Sequence, residues 1–236
     1  TAVQVQKAPR FTRLLESTPN SMLEREIWPT FRDGATAQSF LVVGDPGAGK
    51  SGLTYRLTAY LVGSGTDVVF IPVDILNVDD LAGLRGELGI SRSLAEVLQN
   101  WPGPGKGVLI IDALDAARKF ETQTVLKEAV EQVVRLAGGR WNVIASVRKY
   151  DLRHGTDWRR AFQGEPMSNT IRDREFPYVR HLSVDRLSDQ EIAQITAFSP
   201  QLNRLFLEAN PLLKQLLRNI FNLHLLAELI GQGAGA

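Results

Sequence analysis

The chain has 236 residues, of which 44% are hydrophobic and 22% are charged, and these proportions are typical of one large globular domain or one domain with an appendage. Its formal net charge of +1 excludes the strong overall basic field that marks many nucleic-acid-binding proteins, although a local basic patch is compatible with it. The absence of cysteine excludes disulfide bonds and thiolate metal sites, and the three scattered histidines do not form a zinc motif.

The two ends of the chain bear on its location and extent. No apolar run reaches the roughly 18 residues that span a bilayer, and the start TAVQVQKAPRF lacks the apolar block of a secretory signal, so we expect a cytoplasmic protein without membrane contact. Because the chain begins with Thr1 and ends with GQGAGA directly after an apolar stretch, we expect it to be part of a longer polypeptide. We divide it into an N-terminal extension (1–19), a main domain (20–184) and a helical subdomain (185–236).

Five short apolar runs predict β-strands that are buried on both faces, as in a parallel sheet. They are 39–43, 67–73, 107–111, 142–147 and 178–184. Helical patterns lie between them, and Ser-x-x-Glu capping boxes at Ser21, Ser93 and Ser188 predict helix starts. The alternation of strand and helix predicts an open α/β sheet whose ligand site lies beyond the carboxyl ends of the strands.

The first predicted strand leads into the motif GDPGAGKS, residues 44–51, and an amphipathic helix follows. Its glycines allow backbone N–H groups to converge on a phosphate, and the helix start adds its positive end. The pattern predicts a nucleotide site in which Lys50 contacts the β- and γ-phosphates and Ser51 binds Mg²⁺. The predicted contact residues are Gly44, Asp45, Pro46, Gly47, Ala48, Gly49, Lys50, Ser51 and Gly52.

The third predicted strand ends in two acids, within the sequence VLIIDALDA (108–116). A buried carboxylate is tolerable where a divalent cation faces it, so we assign Asp112 to the Mg²⁺ site. Asp115 has two interpretations, which the sequence leaves open. It is either a catalytic residue that orients or deprotonates the attacking water, or an acid in the first turn of a helix.

The fourth predicted strand ends in NVIASVRKYD, and its Arg148 would lie near the γ-phosphate if this strand neighbours the first. We assign Arg148 as a catalytic residue that senses this phosphate, with a surface ion pair to Asp151 as the alternative. The polar, arginine-rich stretch 151–177 is predicted to be an irregular loop or lid. This stretch contains three arginines that could contact the nucleotide of a neighbouring molecule: Arg153, Arg159 and Arg160. The alternative is that they are solvated loop residues.

Together, GDPGAGKS, VLIIDALDA, NVIASVRKYD and the helical tail LLRNIFNLHLLAELI (216–230) resemble the STAND class of P-loop ATPases, the signalling NTPases that include NACHT and plant-resistance-type switches. The similarity covers residues 20 to 230 approximately and is greatest to bacterial members. It implies an α/β fold of the ASCE/AAA-like type, with a five-stranded parallel sheet in the order 5-1-4-3-2 flanked by helices and followed by a helical subdomain.

The resemblance also implies ligands, partners and residue roles. ATP or ADP would bind with Mg²⁺ between the sheet and the helical subdomain, and the nucleotide would control self-association. Sensor and effector domains would lie outside this chain. The family roles fall on Lys50 and Ser51 in the phosphate loop, on Asp112 and Asp115 in the acidic strand, and on Arg148 as the sensor arginine.

The sequence departs from the family pattern at two positions. Ala116 stands where many NACHT-type members have an acid, so we expect the isolated chain to hydrolyse ATP slowly or not at all. Ile220 stands where the helical tail of the family often has proline, so the resemblance does not settle how the helical subdomain contacts the nucleotide base. The [NT]-K-x-D motif of Ras-type GTPases is absent from the chain, so ATP is favoured over GTP.

Two other classes of function stay open at the level of sequence. One is an AAA-type remodelling or nucleic-acid-associated motor ATPase, which would form rings and respond to nucleic acid or unfolded protein. The other is an interaction module with a vestigial nucleotide site, against which the intact Lys50, Ser51 and Asp112 argue.

Overall fold

The computed structural model describes residues 23–114, 120–137, 139–197 and 199–231. The N-terminal extension 1–19, the predicted helix cap at Ser21, the second acid Asp115 and its neighbour Ala116 lie outside the described residues. The first described helix begins at Trp28, with Pro29 in its first turn, where a proline costs no hydrogen bond.

A five-stranded parallel sheet forms the centre of the molecule. Its strands are β1 Phe40–Gly44, β2 Asp67–Pro72, β3 Gly107–Asp112, β4 Trp141–Arg148 and β5 His181–Ser183. They lie in the order β2-β3-β4-β1-β5, and each neighbouring pair is parallel. The five predicted strands and the predicted order 5-1-4-3-2 are therefore confirmed.

The described helices precede, connect or follow the strands. They are α1 Trp28–Ala37, α2 Lys50–Gly63, α3 Leu81–Leu88, α4 Leu94–Gln99, α5 Phe120–Leu136, α6 Lys149–His154, α7 Thr156–Ala161, α8 Asp189–Ala197, α9 Pro200–Glu208, α10 Pro211–Leu217 and α11 Ile220–Gly231, and a 3₁₀ turn lies at Val73–Ile75. None of the helices in the described part of the chain is long and apolar enough to cross a membrane.

Successive residues of β1 point to opposite faces of the sheet and join two separate apolar cores. Phe40 and Val42 belong to the core that includes α1 and α2, whereas Leu41 and Val43 belong to the core that includes α3, α4 and α5. All four side chains are fully buried. This burial on both faces explains the near-continuous hydrophobicity of the strands.

Two of the predicted capping boxes are present. At the start of α4, the Ser93 N–H donates to Glu96 Oε2 over 3.0 Å, and the Glu96 N–H donates back to Ser93 Oγ over 3.3 Å. At the start of α8, Ser188 and Glu191 make the same reciprocal bonds, of 3.0 and 3.1 Å. Each box satisfies backbone donors that the first turn of a helix leaves without partners.

The stretch 151–177 is the irregular loop that its polar composition predicts only from residue 163 onward, where no helix or strand is present up to 177. It includes most of α6 and all of α7, and it buries the side chains of Leu152, Phe162 and Phe176. For 151–161 the prediction was wrong, because six-residue helices contain too few apolar positions to show a helical period. Arg153 in α6 pairs with Glu175 of the same chain, and its Nη2 lies 2.9 Å from Glu175 Oε2.

The described residues beyond Asp185 form a third, smaller apolar cluster, and we call residues 185–231 the helical subdomain. Four helices, α8 to α11, make up this part of the chain. The buried members of the apolar cluster are Leu187, Ile192, Ile195, Leu202, Leu217 and Leu223. Ser199 and Asn210 cap α9 and α10 by accepting hydrogen bonds from backbone N–H groups two positions beyond the following proline.

Candidate functional site

Three predicted site elements meet at one edge of the sheet. Since β1, β3 and β4 are parallel, their carboxyl ends lie on the same side, and β4 lies between the other two strands. The register pairs Gly44 at the end of β1 with Arg148 at the end of β4. The loop 44–52, Asp112 and Arg148 are thereby brought together, and the condition that β4 neighbours β1 is met.

The loop between β1 and α2 has the backbone shape that its glycines allow. Gly47 and Gly49 have φ angles of +76° and +95°, which are left-handed conformations that side chains disfavour. Lys50 begins α2, and its Nζ donates to the carbonyl oxygens of Gly44 over 2.8 Å and Asp45 over 3.1 Å. The ammonium group thus lies beside the loop, where it can contact a bound phosphate.

Asp112, the last residue of β3, is a buried acid with 5% exposure. Its Oδ1 accepts a hydrogen bond of 2.7 Å from the Ser146 hydroxyl and lies 3.1 Å from the Thr54 hydroxyl. Thr54 Oγ1 is also 2.9 Å from the Ser51 carbonyl oxygen, so its single proton serves one of the two acceptors at a time. These contacts place the carboxylate at the first turn of α2, the turn that carries Ser51.

The ligands at this edge fit Mg²⁺ bound together with a nucleotide. Among the described residues, no three histidine or acidic side chains converge on one point, so this part of the chain contains no all-protein metal cage. Magnesium is usually held by one or two carboxylates together with waters and substrate phosphates. The Asp112 carboxylate and the Ser51 hydroxyl are hard oxygen donors of the kind that would hold the ion in such a site.

The charge of Asp112 affects a neighbouring aromatic side chain. The pKa of Tyr55 is raised, first by burial and then by the negative charges of Asp112 and Asp74. Tyr55 belongs to α2, and its ring packs against Phe70 of β2 with a centroid distance of 4.6 Å. Burial needs no charge to produce this shift, and only the smaller contribution reflects the two carboxylates, whose negative charge a bound divalent cation would offset.

The chain turns sharply directly after Asp112. Ala113 has a φ angle of +59°, a left-handed conformation that is uncommon for alanine and costs roughly 1–2 kcal/mol. Its N–H donates to Ser146 Oγ over 2.7 Å, so the same hydroxyl supports both the acid and the turn. Backbone strain of this kind clusters at functional sites. The two interpretations of Asp115 stay predictions, because that residue lies outside the described residues.

Comparison with known proteins bears on the fold. Neither a protein-family model nor a curated protein matches the chain. Among solved structures, the Walker-type ATPase paby2304 of Pyrococcus abyssi is similar with a TM-score of 0.53 and 12% identity over 94% of this chain and 72% of that one. The replication initiator DnaA bound to AMPPCP and single-stranded DNA gives 0.50 and 14%, over 89% and 62%. AMPPCP-bound DnaA from Aquifex aeolicus gives 0.48 and 16%, over 87% and 59%.

The similarity to the Walker-type ATPase and to the DnaA complex with single-stranded DNA indicates the same fold as the strand order of the sheet. The chain has the fold of the AAA+ P-loop ATPases. It spans about three fifths of the length of the two DnaA chains. With identities below a fifth, the similarity describes the fold and leaves the function to be argued from the site.

Two residues near the phosphate loop of this AAA+ fold were not found by sequence reasoning. Arg25, in the segment before α1, donates from Nη1 to the Ala48 carbonyl over 2.9 Å. Asn219, directly before α11, donates from Nδ2 to the Pro46 carbonyl over 2.8 Å. No motif marks either residue. Arg25 had one indirect signal, because a capping box singles out its buried partner Glu191, whereas Asn219 had none.

Proposed function

We propose that the chain is an ATP/ADP-binding, Mg²⁺-dependent switch of a signalling ATPase of the STAND class, with slow hydrolysis and nucleotide-controlled self-association. The observation that supports it best is the convergence of the GDPGAGKS loop, the buried acid Asp112 and the strand-end Arg148 at one sheet edge. Phosphoryl transfer depends on positioning and charge neutralisation, and these groups supply both.

Each group has a separate role in this proposal. The loop N–H groups and Lys50 would bind the β- and γ-phosphates, and Ser51 and Asp112 would hold Mg²⁺, whose chemistry there would be charge neutralisation. Ser146 and Thr54 hold the Asp112 carboxylate in place. Arg148 contacts the γ-phosphate by a charge-assisted hydrogen bond. Asp115, if its catalytic interpretation holds, orients the attacking water.

Slow hydrolysis follows from two features of the chain. An apolar side chain, Ala116, follows Asp115 where an acid is common in the family. An arginine supplied by a neighbouring molecule can raise such rates by about 10³ to 10⁵, and an isolated chain lacks it. Arg153 already pairs with Glu175, and Arg160 makes a longer, exposed pair of 3.9 Å with Asp157. Arg159 and Arg160 stay candidates for the contact with a neighbouring molecule.

The direct test is to release and identify the nucleotide that co-purifies with the wild type and with Lys50→Ala. We expect ADP or ATP in the wild type and none in the variant. Lys106→Ala is the matched control, because Lys106 precedes β3 at the opposite end of the sheet and its side chain is exposed. Wild type without nucleotide, and without heat on titration with Mg-ADP or Mg-ATP, would favour the vestigial interaction module.

Phosphate release measures the second part of the proposal. We expect the isolated chain to turn over more slowly than about one ATP per second, the lower end of ordinary enzyme rates. Turnover of several per second without a partner would contradict the proposed switch. Concentration-dependent light scattering in Mg-ADP and in a non-hydrolysable ATP analogue measures nucleotide control of self-association.

An AAA-type remodelling or nucleic-acid-associated motor is the second candidate. It is favoured by the fold similarity to a DnaA structure that contains AMPPCP and single-stranded DNA. Such a motor would form rings, and its hydrolysis would rise when DNA, RNA or unfolded protein is added. A titration of ATPase activity against these three additives separates the motor from the switch.

A further inference from the structure

Three consecutive carbonyl groups of the phosphate loop are held from outside the loop. The Pro46 carbonyl accepts from Asn219 Nδ2 at 2.8 Å, the Gly47 carbonyl from the Phe221 N–H at 3.2 Å, and the Ala48 carbonyl from Arg25 Nη1 at 2.9 Å. Two of these donors belong to the start of α11, in the helical subdomain. The outer side of the loop is thus bonded to elements that are remote in sequence.

Holding a carbonyl also orients the N–H group of the next residue. The described peptide bonds are trans, and a planar trans peptide points its C=O and N–H in opposite directions. A hydrogen bond to the Pro46 carbonyl therefore directs the Gly47 N–H away from Asn219. A bond to the Ala48 carbonyl directs the Gly49 N–H away from Arg25 in the same way. These N–H groups belong to the loop that would hold the phosphates.

Arg25 connects the loop to the helical subdomain through a buried ion pair. Its side chain is buried, and its Nε lies 2.8 Å from Oε1 of Glu191, which is also buried. Its Nη2 donates to the Asp185 carbonyl over 2.8 Å, at the point where the chain enters the subdomain. Glu191 also accepts from the N–H groups of Glu26 and Ser188. One carboxylate thus holds both Arg25 and the start of α8.

Asn219 makes a second connection that is independent of Arg25. Its Oδ1 accepts from the Phe221 N–H over 3.0 Å, while its Nδ2 reaches the Pro46 carbonyl. A methyl group built at Gly47 would lie only 2.4 Å from this Oδ1. The amide therefore fills the space behind the loop and joins it to α11.

We infer that Arg25, Glu191 and Asn219 are positioning residues that couple nucleotide binding at the phosphate loop to the docking of the helical subdomain. This inference rests on the proposed nucleotide site. None of the three side chains is assigned a contact with the nucleotide, so each acts through the loop backbone. Because coupling between two equilibria is reciprocal, a bound nucleotide stabilises the docked subdomain, and a docked subdomain raises nucleotide affinity.

The test compares hydrogen exchange and nucleotide affinity in the same set of variants of the full chain. In wild type, Mg-ADP is expected to slow amide exchange in α8 and α11 as well as in the loop. In Asn219→Ala, the slowing in α11 should be largely lost and Mg-ADP should bind about tenfold more weakly, within the usual range of coupling between sites. Asn222→Ala is the matched control, because its amide bonds to the Leu216 carbonyl within the subdomain.

The buried ion pair needs a milder pair of variants, because removing a buried charge can prevent folding. Arg25→Lys retains the charge but not the three-way contact, and Arg25→Gln loses both. Affinity for Mg-ADP, and the slowing of amide exchange in α8 by Mg-ADP, should be lower in Arg25→Lys than in wild type and lower again in Arg25→Gln. The control Arg204→Gln, in the exposed pair with Glu208, should change neither quantity. A purely structural role would instead speed exchange equally with and without Mg-ADP, at unchanged affinity.

The outcomes separate the inference from the proposed function. Wild type that binds neither Mg-ADP nor Mg-ATP overturns both. Wild type that binds Mg-ADP, with Asn219→Ala and Arg25→Lys matching it in affinity and in the exchange pattern, overturns the coupling alone. Asn219 is only half-buried, so Asn219→Ala is expected to fold, and its result is informative even if Arg25→Gln does not fold.

Discussion

Replacing Gly47 by alanine adds one methyl group at the most constrained point of the phosphate loop. The new Cβ would lie 2.4 Å from Asn219 Oδ1 and 2.9 Å from Phe221 Cβ, distances that real Cβ atoms do not show. The backbone at Gly47 also has a φ angle of +76°, which alanine disfavours. The substitution therefore combines a steric cost with a backbone cost, and two other glycines allow these costs to be separated.

Gly52 and Gly65 are the matched positions. A methyl group at either of them meets nothing within 4 Å, and only Gly65 has a left-handed φ, of +74°. Gly52→Ala lies inside α2 and should stabilise the fold by about 0.5–1 kcal/mol, because alanine loses less entropy in a helix. Gly65→Ala should destabilise it by about 1 kcal/mol, the backbone cost without a clash.

Gly47→Ala should cost clearly more than Gly65→Ala. Moving the Asn219 amide and the start of α11 also weakens two hydrogen bonds to the loop, each of which contributes about 1 kcal/mol. The expected loss is about 2–4 kcal/mol in the free energy of unfolding, and Mg-ADP binding should be lost with it. Urea denaturation without nucleotide gives the free energies, and calorimetry gives the affinity. Equal destabilisation by Gly47→Ala and Gly65→Ala would refute the steric part of the reasoning.

Three further perturbations follow from single side chains. Ser146→Ala removes a donor to the buried Asp112 carboxylate and should lower the free energy of unfolding by about 1–3 kcal/mol in urea denaturation. Burial lowers the pKa of His181 below 6.5, so its unfolded state binds the extra proton and stability should fall as the pH drops below 6.5, by at most about 1.4 kcal/mol per pH unit. The hydrogen bond from Arg153 is the main reason that the pKa of Glu175 is lowered from 4.5 to about 2, so the stability it contributes above pH 4.5 should be lost between pH 4.5 and 2. Carboxyl NMR titration of Glu175 gives its midpoint directly.

Each of these predictions has a control and a contrary outcome. Unchanged stability of Ser146→Ala would mean that Asp112 needs no donor there, and Ser168→Ala on the exposed surface is the matched change. If the pH dependence of stability persists in His181→Gln and disappears instead in the exposed His154→Gln, then His181 is not the residue that causes it. A Glu175 midpoint that does not rise in Arg153→Gln would show that the guanidinium is not the cause of the low pKa.

The phosphate loop was predictable because its geometry is local. Eight contiguous residues specify the turn, the cation and the hydroxyl, and the flanking strand and helix appear as ordinary hydrophobic patterns. The buried position of Asp112 at the end of β3 was predictable from the apolar run before it, and its metal role stays a prediction. Strand positions followed from burial on both faces, which leaves runs of apolar residues.

Other parts of the site depend on how distant elements pack. Arg148 lies at the site edge because β4 lies beside β1, and the sheet order came from a family resemblance, since no spacing in the sequence specifies it. The helices within 151–161 were missed for a different reason, because the polar composition of this segment suggested solvent exposure, whereas Arg153 pairs with Glu175 and the few buried side chains have no visible period. Local sequence patterns therefore predicted neither the placement of Arg148 beside the loop nor the helices at the start of 151–177.

The amino-acid sequence alone thus identifies the loop that can hold a phosphate and the acid that can face its metal. It does not reveal that Arg25 and Glu191, 166 positions apart, form a buried pair behind that loop, or that Asn219 reaches Pro46 across 173 positions. The physical reason is that a motif records bonds between neighbours along the chain. Hydrogen bonds between remote elements exist only after the sheet and the helical subdomain have packed, and they leave no period or spacing by which they could be recognised beforehand.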